Sequence, residues 1–343
     1  MTSINYIIDD SIVNRMTSSR KWLDTYVPSI TQHLKEQGFD VVFDEKSDYD
    51  LMHIHVPLTL AYRLSVNNKN GNTRPIIFHG NMTEDTFLVG TNVKYILRKW
   101  FKSLAQRSDV ILTPSLSAAE YFYKILPDKD IRQLNYGIDL DKYKYSENHR
   151  LAFRGQYGIN EDETVVSCVG GLTQRKGVKE FFEMANRFPD LRFMWVGGMF
   201  YKGQMQNLYG KLSSGDNINL KDVPDNVLFT DYTPEVQKAL SSSDIFFFPS
   251  HQETQGLALV EAAANCLPIV TRDLPVFREW LTHGFDCLMG ADMDEFEAHI
   301  RSLSQDISFA SELGKHALQS ARKYHDIDKT SQSLAKIYNE LTG

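Results

Sequence analysis

The chain has 343 residues, 42% of them hydrophobic and 24% charged, with a formal net charge of −7; this is the balance of an ordinary globular protein and argues against nucleic acid as a partner. No stretch approaches the roughly 18 apolar residues of a membrane span, and the N-terminus "MTSINYIIDDSIV" reads as no signal peptide. Three cysteines, Cys168, Cys266 and Cys287, offer neither a metal spacing nor an even disulfide framework, which fits a reducing cytoplasm.

This length predicts two domains, because single cores rarely grow beyond about 250 residues. Charge divides the same way. Residues 1–150 carry 19 Lys+Arg against 18 Asp+Glu, and residues 151–343 carry 18 against 26, so the halves face different partners. In the first half, β-rich runs occur in the order "INYIID", "DVVF", "DLMHIHV", "RPIIFHG", "DVILTPS" and "IRQLNYG". Helical periodicity separates them, as in residues 19–37, where Trp22, Leu23, Tyr26, Val27, Ile30 and Leu34 share a face. Residues 137–163 are polar, turn-rich and aperiodic, and read as an inter-domain linker. The second half repeats the alternation with "TVVSCVGG", "RFMWVGG", "NVLFTDY", "DIFFFPS" and "PIVTRD", and its last 35 or so residues read as helical. Strands alternating with helices mean parallel sheets with crossover connections. The expected fold class is therefore α/β, two Rossmann-like doubly wound domains facing a cleft. The expected boundaries are 1–150, 151–325, and a terminal helix over 326–343 that packs back on the first domain.

Ligands in such sheets bind beyond the carboxyl ends of the strands, and four stretches carry chemistry near such positions. In "IIFHGNMTED", His79 follows a strand and precedes a glycine, open to a structural or a functional role. In "VKYILRKWFKSLAQRS", the cations Lys94, Arg98, Lys99, Lys102 and Arg107 occur without an acid and interleave with Trp100 and Phe101. That pattern suits a helix lying on an anionic membrane surface, or a core-packed helix with a solvated basic face. In "VGGLTQRKGV", Arg175 and Lys176 follow a strand ending at Gly171, where a bidentate fork and a point charge suit a diphosphate; a solvated capping loop would look the same. In "SHQETQGLALVEA", Glu253 sits in the loop Thr254-Gln255-Gly256 leads out of, and Glu261 lies in the second turn of a helix starting near Leu257. The helix start favours phosphate and a carboxylate suits vicinal hydroxyls, although two solvated glutamates would leave the same trace. No His/Cys cluster with ligand spacing and no nucleophile elbow is present in the sequence.

Together these residues resemble retaining glycosyltransferase family 4, of GT-B fold, over nearly the whole chain: the "GID" turn at 137–139, "RKG" at 175–177, and the paired glutamates of "ETQGLALVEAAANCLPIV". The stretches "HGNMTEDTF", "FFFPSHQETQGLALVEA" and "TRDLPVFREWL" look like the glycolipid-forming members of Gram-positive bacteria. The resemblance implies a donor of UDP-galactose or UDP-glucose, with Glu253 and His79 near the transferred sugar and Glu261 on the ribose. Arg175 and Lys176 then neutralise the diphosphate, helped by the amides near Leu257. It further implies a glycolipid acceptor, an anionic membrane surface reached from the cytoplasmic side, and no cofactor or essential metal. Gly171 stands where many members have arginine, and "NCLP" at 265–268 replaces Cys-Gly-x-Pro. The alternatives are a soluble or polysaccharide acceptor, a catalytically silent partner protein, or a sugar-nucleotide epimerase.

Overall fold

The computed structural model describes residues 1–8, 19–43, 48–55, 59–70, 73–81, 91–198 and 223–343. They form two compact units. One comprises Met1–Gly137 together with Ile327–Gly343, and the other runs from Ile138 to Asp326.

Among the described residues, the first unit holds six parallel strands: β1 (Thr2–Ile7), β2 (Phe39–Val42), β3 (Leu51–Ile54), β4 (Ile76–His79), β5 (Val110–Thr113) and β6 (Asp130–Gln133). Helices α1 (Ser19–Glu36), α2 (Thr59–Asn70), α3 (Thr91–Arg107) and α4 (Leu116–Ile125) connect them. The sheet order is β2-β1-β3-β4-β5-β6. β3, β4 and β5 are buried at every position, as expected of parallel strands covered on both faces. The chain leaves β1 toward β2 and returns to β3 on the opposite side. Connections therefore diverge between β1 and β3, which makes the carboxyl ends there the natural ligand position.

The second unit opens with a short 3₁₀ turn (Asp141–Tyr143) and α5 (Glu147–Tyr157). Then come β7 (Val165–Val169), α6 (Val178–Arg187), β8 (Arg192–Val196), β9 (Val227–Phe229), α7 (Val236–Ser241), β10 (Ile245–Phe248), α8 (Leu257–Ala264), β11 (Ile269–Arg272), α9 (Pro275–Arg278), β12 (Leu288–Gly290), α10 (Met293–Gln305) and α11 (Ile307–Tyr324). The order β12-β11-β10-β7-β8-β9 reverses between β7 and β10. The run Phe246, Phe247 and Phe248 is fully buried, and each such side chain contributes about 1.5–3 kcal/mol relative to an exposed one. On α6, Val178, Phe181, Phe182 and Ala185 face the core while Lys179 is exposed, the helical period that marks a one-sided crossover.

Two expectations change. The stretch 137–163 is not a linker throughout, because α5 within it belongs to the second unit. Ser146 caps α5, and Arg154, buried to 2%, holds it to the carbonyl of Ser242 at 3.0 Å and to Asp244 at 2.8 Å. Its polar composition concealed a helix whose key contact is a buried cation. The division between units accordingly falls at Gly137/Ile138 instead of 150/151. The terminal α12 (Ile327–Thr342) is part of the first unit, where Thr330 Oγ1 donates to the carbonyl of Asn135 at 3.3 Å and Arg132 forks onto Glu340 with both distances 2.7 Å.

Candidate active site

In the second unit, the segments leaving β7 and β10 meet at the reversal of strand order. The β7 segment turns through a 3₁₀ helix, Gln174–Lys176. Lys176 Nζ lies 2.5 Å from Glu253 Oε1, and Arg175 Nη1 is 3.7 Å from the same oxygen. Ser250 Oγ donates to that oxygen at 2.8 Å, and Arg175 Nη1 also donates to the Gln252 carbonyl at 2.6 Å. The backbones are joined as well, His251 N–H donating to the Arg175 carbonyl at 2.8 Å. Gly177 allows this approach: its φ is +76°, and a Cβ there would lie 2.4 Å from the carbonyl oxygen of Pro249.

Burial by itself would raise the Glu253 carboxyl, but Lys176 and then Arg175 outweigh it and hold the group below the usual carboxylate range. Burial is also what most lowers the Lys176 ammonium, with Glu253 opposing it. Two cations against one carboxylate leave a surplus positive charge at the end of the sheet, the requirement for gripping an anionic leaving group. A neighbouring set, Glu180 with His251 Nε2 at 2.6 Å and Arg272 at 3.4 Å, also balances one acid against basic groups. Sequence reasoning missed it because the three come from different elements.

Gly256 begins α8, and no side chain caps that start, so its first amides remain for an anion. Glu261 is 2% exposed. The Tyr143 hydroxyl hydrogen-bonds to it and is raised in pKa, first by burial and then by that carboxylate. Gln255 is buried with Nε2 3.1 Å from His325 Nδ1, Gly171 is buried, and Thr254 and Leu257 are partly buried. Thus Arg175, Lys176 and Glu253 form one cluster, while Glu261 is held by Tyr143 and Gln255 by His325.

In the first unit, the reversal between β1 and β3 carries a cluster of rings. Register sets Tyr6 on β1 beside His53 on β3. His55 follows on the same face as His53, since strand side chains alternate, and His79 ends β4. Their exposures are 0%, 2% and 1% for His53, His55 and His79. Gly80 next to His79 leaves space for Phe122, whose Cε2 would lie 2.4 Å from an added Cβ. One ring nitrogen from each of the three histidines lies within 4.8 Å of the other two. The sequence shows no histidine cluster with ligand spacing; these three meet only in the fold, because His79 comes from the neighbouring strand. The His55 and His53 rings lie 3.9 Å apart between centroids and are tilted by 31° to each other. Burial pushes all three below the ordinary imidazole value, His79 to about 3, so they are neutral near pH 7.

The basic helix α3 divides differently from the membrane expectation. Phe101 is buried in the first unit's core with Leu104 and Ala105, and Trp100 stacks on Tyr62 at 4.4 Å. Phe101 is therefore withdrawn as a membrane contact, since the helical period turns it toward the sheet. Lys99 and Lys102 are exposed and Arg98 is partly buried; the side chain of Lys94 lies outside the described residues. Arg107 donates to the Ser103 carbonyl and lies over Tyr62. Among the described residues, no helix is long and apolar enough to cross a membrane.

Two six-stranded parallel sheets, each with a polar cluster at its reversal of strand order, define a chain of two doubly wound α/β units. Residues 149–320 match the family described as Glycosyl transferases group 1, and the chain belongs to that family. Over 318 residues it is 29% identical to a processive diacylglycerol alpha-glucosyltransferase of Acholeplasma laidlawii, covering 90% of each chain. Over 288 residues it is 21% identical to an alpha-galactosylglucosyldiacylglycerol synthase of Streptococcus pneumoniae, covering 81% of this chain and 74% of that one. The fold is similar to that of Anabaena HepE solved with UDP and glucose, with a TM-score of 0.78 at 16% identity over 99% of this chain and 100% of that one. The architecture is the GT-B fold.

Proposed function

We propose that this glycosyltransferase is a UDP-hexose-dependent, retaining enzyme. It moves glucose or galactose to monoglucosyl-diacylglycerol and forms an α-linked diglycosyl-diacylglycerol, the anchor type of lipoteichoic acid. The observation that carries the reading is the cluster of Arg175, Lys176 and Glu253 at the reversal between β7 and β10. The diacylglycerol-glycosylating relatives support the acceptor.

In this reading Arg175, Lys176 and the first amides of α8 take the charge that grows on the departing diphosphate, which lowers the barrier most in the transition state. Glu261 accepts from the ribose hydroxyls, exchanging its Tyr143 contact for the ligand. Glu253 holds Lys176 in place and lies near the sugar, and His79 donates to it. The acceptor hydroxyl attacks the oxocarbenium-like centre from the face the diphosphate leaves, so the α configuration is kept without a protein nucleophile. Positive side chains take the part a divalent cation plays elsewhere, so transfer persists in excess EDTA. The enzyme works peripherally on the inner face of the cell membrane, drawn there by the exposed cations of α3. The test crosses UDP-glucose and UDP-galactose with diacylglycerol and glucosyl-diacylglycerol in mixed vesicles, with linkage read by NMR. An α-linked diglycosyl lipid is expected; absence of any glycolipid product from all four pairs would overturn the proposal.

A further inference from the structure

The loop that leads from Glu253 into α8 is fastened along its length. Lys176 grips it at Glu253. Further on, Gln255 is 3% exposed, and its Nε2 lies 3.1 Å from Nδ1 of His325, which is 1% exposed. Gly256 follows with φ of +81°, so close to Phe277 of α9 that an added Cβ would lie 2.9 Å from that ring. Just past α9, Trp280 sets its ring perpendicular to that of His325, at 85° and 4.6 Å between centroids. The start of α8 is thus held by α9 through Gly256 and by His325 through Gln255. The Gln255 side chain is engaged inside the protein, so what this loop offers an anion is backbone N–H.

His325 is itself fixed by backbone before its side chain contributes anything. It closes α11, its N–H donating to the Ala321 carbonyl at 2.8 Å. Its carbonyl accepts at 2.9 Å from the N–H of Ile138, the first residue of the second unit. Ile138 pairs in turn with Asp326, the last residue of that unit, as a parallel bridge. Where the chain enters and leaves this unit, its two strands are therefore tied together, and the imidazole of the same tie reaches the loop. A side chain held this way can hold its partner, and a binding loop is only as well placed as the residues that support it.

We infer that His325 is a positioning residue: through Gln255 it fixes the loop that presents the first amides of α8, and so sets the affinity of the second unit for a nucleotide diphosphate. The diphosphate rests on the transfer reading above; the anchoring of the loop does not. A loop released from its anchor is in place for only part of the time, and apparent affinity falls by that fraction.

The experiment separates the ring of His325 from its nitrogen in the full-length protein. His325→Phe keeps a ring beside Trp280 and loses Nδ1, whereas His325→Asn loses the ring and puts an amide oxygen near the place of Nδ1. UDP affinity is read by calorimetry, and hydrogen exchange of the peptide 253–258 is read without ligand. His325→Phe and Gln255→Leu are each expected to raise the Kd for UDP about 3–10-fold, the size of one lost hydrogen bond, and to speed exchange of that peptide. The double variant binds no more weakly than either single one, because the same bond is lost only once. His325→Asn stays within about twofold of the unmodified protein, since the bond is kept. Where a change at 325 disturbs folding, Gln255→Leu alone carries the comparison. Weaker UDP binding in His325→Asn with normal binding in His325→Phe would show that the ring serves packing only, and would overturn the inference. Unchanged exchange in both His325→Phe and Gln255→Leu, or faster exchange with unchanged UDP affinity, overturns it as well. Faster exchange in both variants when the unmodified protein binds no UDP sustains His325 as the anchor of the loop and overturns the transfer reading.

Discussion

Lys176 and Glu253 depend on each other for stability, while in the proposed transfer only the lysine of the pair acts on the leaving group. Removing Lys176 leaves a carboxylate that is 8% exposed with Arg175 at 3.7 Å as its remaining cation. Lys176→Ala is therefore expected to cost about 3 kcal/mol in unfolding free energy and about 100-fold in kcat. The double variant Lys176→Met/Glu253→Leu removes both charges together and restores most of the stability without restoring transfer. Denaturant unfolding beside kinetics separates the two effects, and near-normal turnover in Lys176→Ala would remove it from the site. The histidines give a pH prediction. Unfolded histidine titrates near 6.5, whereas burial holds His53 and His55 well below that and His79 at about 3. The folded state thus binds fewer protons, so their stabilisation is complete above about pH 6.5 and is lost as pH falls toward 3. Tm measured from pH 8 downward should decline below about 6.5, and His79→Gln should flatten that decline; an equal slope in the variant would contradict the assignment.

Elements differ in how openly the sequence declares them. The strands "DIFFFPS" and "TVVSCVGG" were legible because apolar runs of that length fit little but buried parallel strands, whereas the pairing of Lys176 with Glu253 beyond their ends was not. Helix α5 was not legible, since its hold on the second unit is the buried Arg154, whose partners Ser242 and Asp244 are distant in sequence. The turn after α8 falls between these cases. Cys266 has φ of +60°, the left-handed conformation glycine adopts freely. Cys266→Gly should relieve that strain and, after its larger unfolded-state entropy is counted, stabilise by about 0.5–1 kcal/mol; a lower Tm would show that the thiol's packing matters more. On α3 Lys99 and Lys102 are exposed while Phe101 is buried, so vesicle attraction through this helix is expected to be mainly electrostatic, about 1 kcal/mol per charge near the surface. Binding to anionic vesicles should fall close to zero at high salt and be reduced by changing Lys94, Arg98, Lys99 and Lys102 to Gln. Salt-resistant binding would point to a different contact.

At the scale of the whole molecule, two parallel sheets joined in series were readable from alternation alone. Which residues complete the first sheet was harder to read, because the decisive contacts join opposite ends of the chain: Tyr6 to Tyr338, and Arg132 to Glu340. Periodicity reports a helix near the C-terminus but cannot name the surface it covers. The first unit is thus built from two separated stretches, with the whole second unit inserted between them. That arrangement has a consequence for synthesis. A ribosome adding about 5–20 residues per second finishes the first stretch of this unit, at Gly137, roughly 10–40 s before it reaches the last helix at Ile327. The inserted unit, made second, is the first to be complete. Until Tyr338 emerges, His53 and the neighbouring rings lack their cover, and the nascent sheet is the form most exposed to proteases and chaperones. Nascent chains arrested after Asp326 should show a protease-resistant second unit and a cleavable first one, while release of the full chain should protect both. Equal protection before and after α12 is added would mean that the first sheet closes without it.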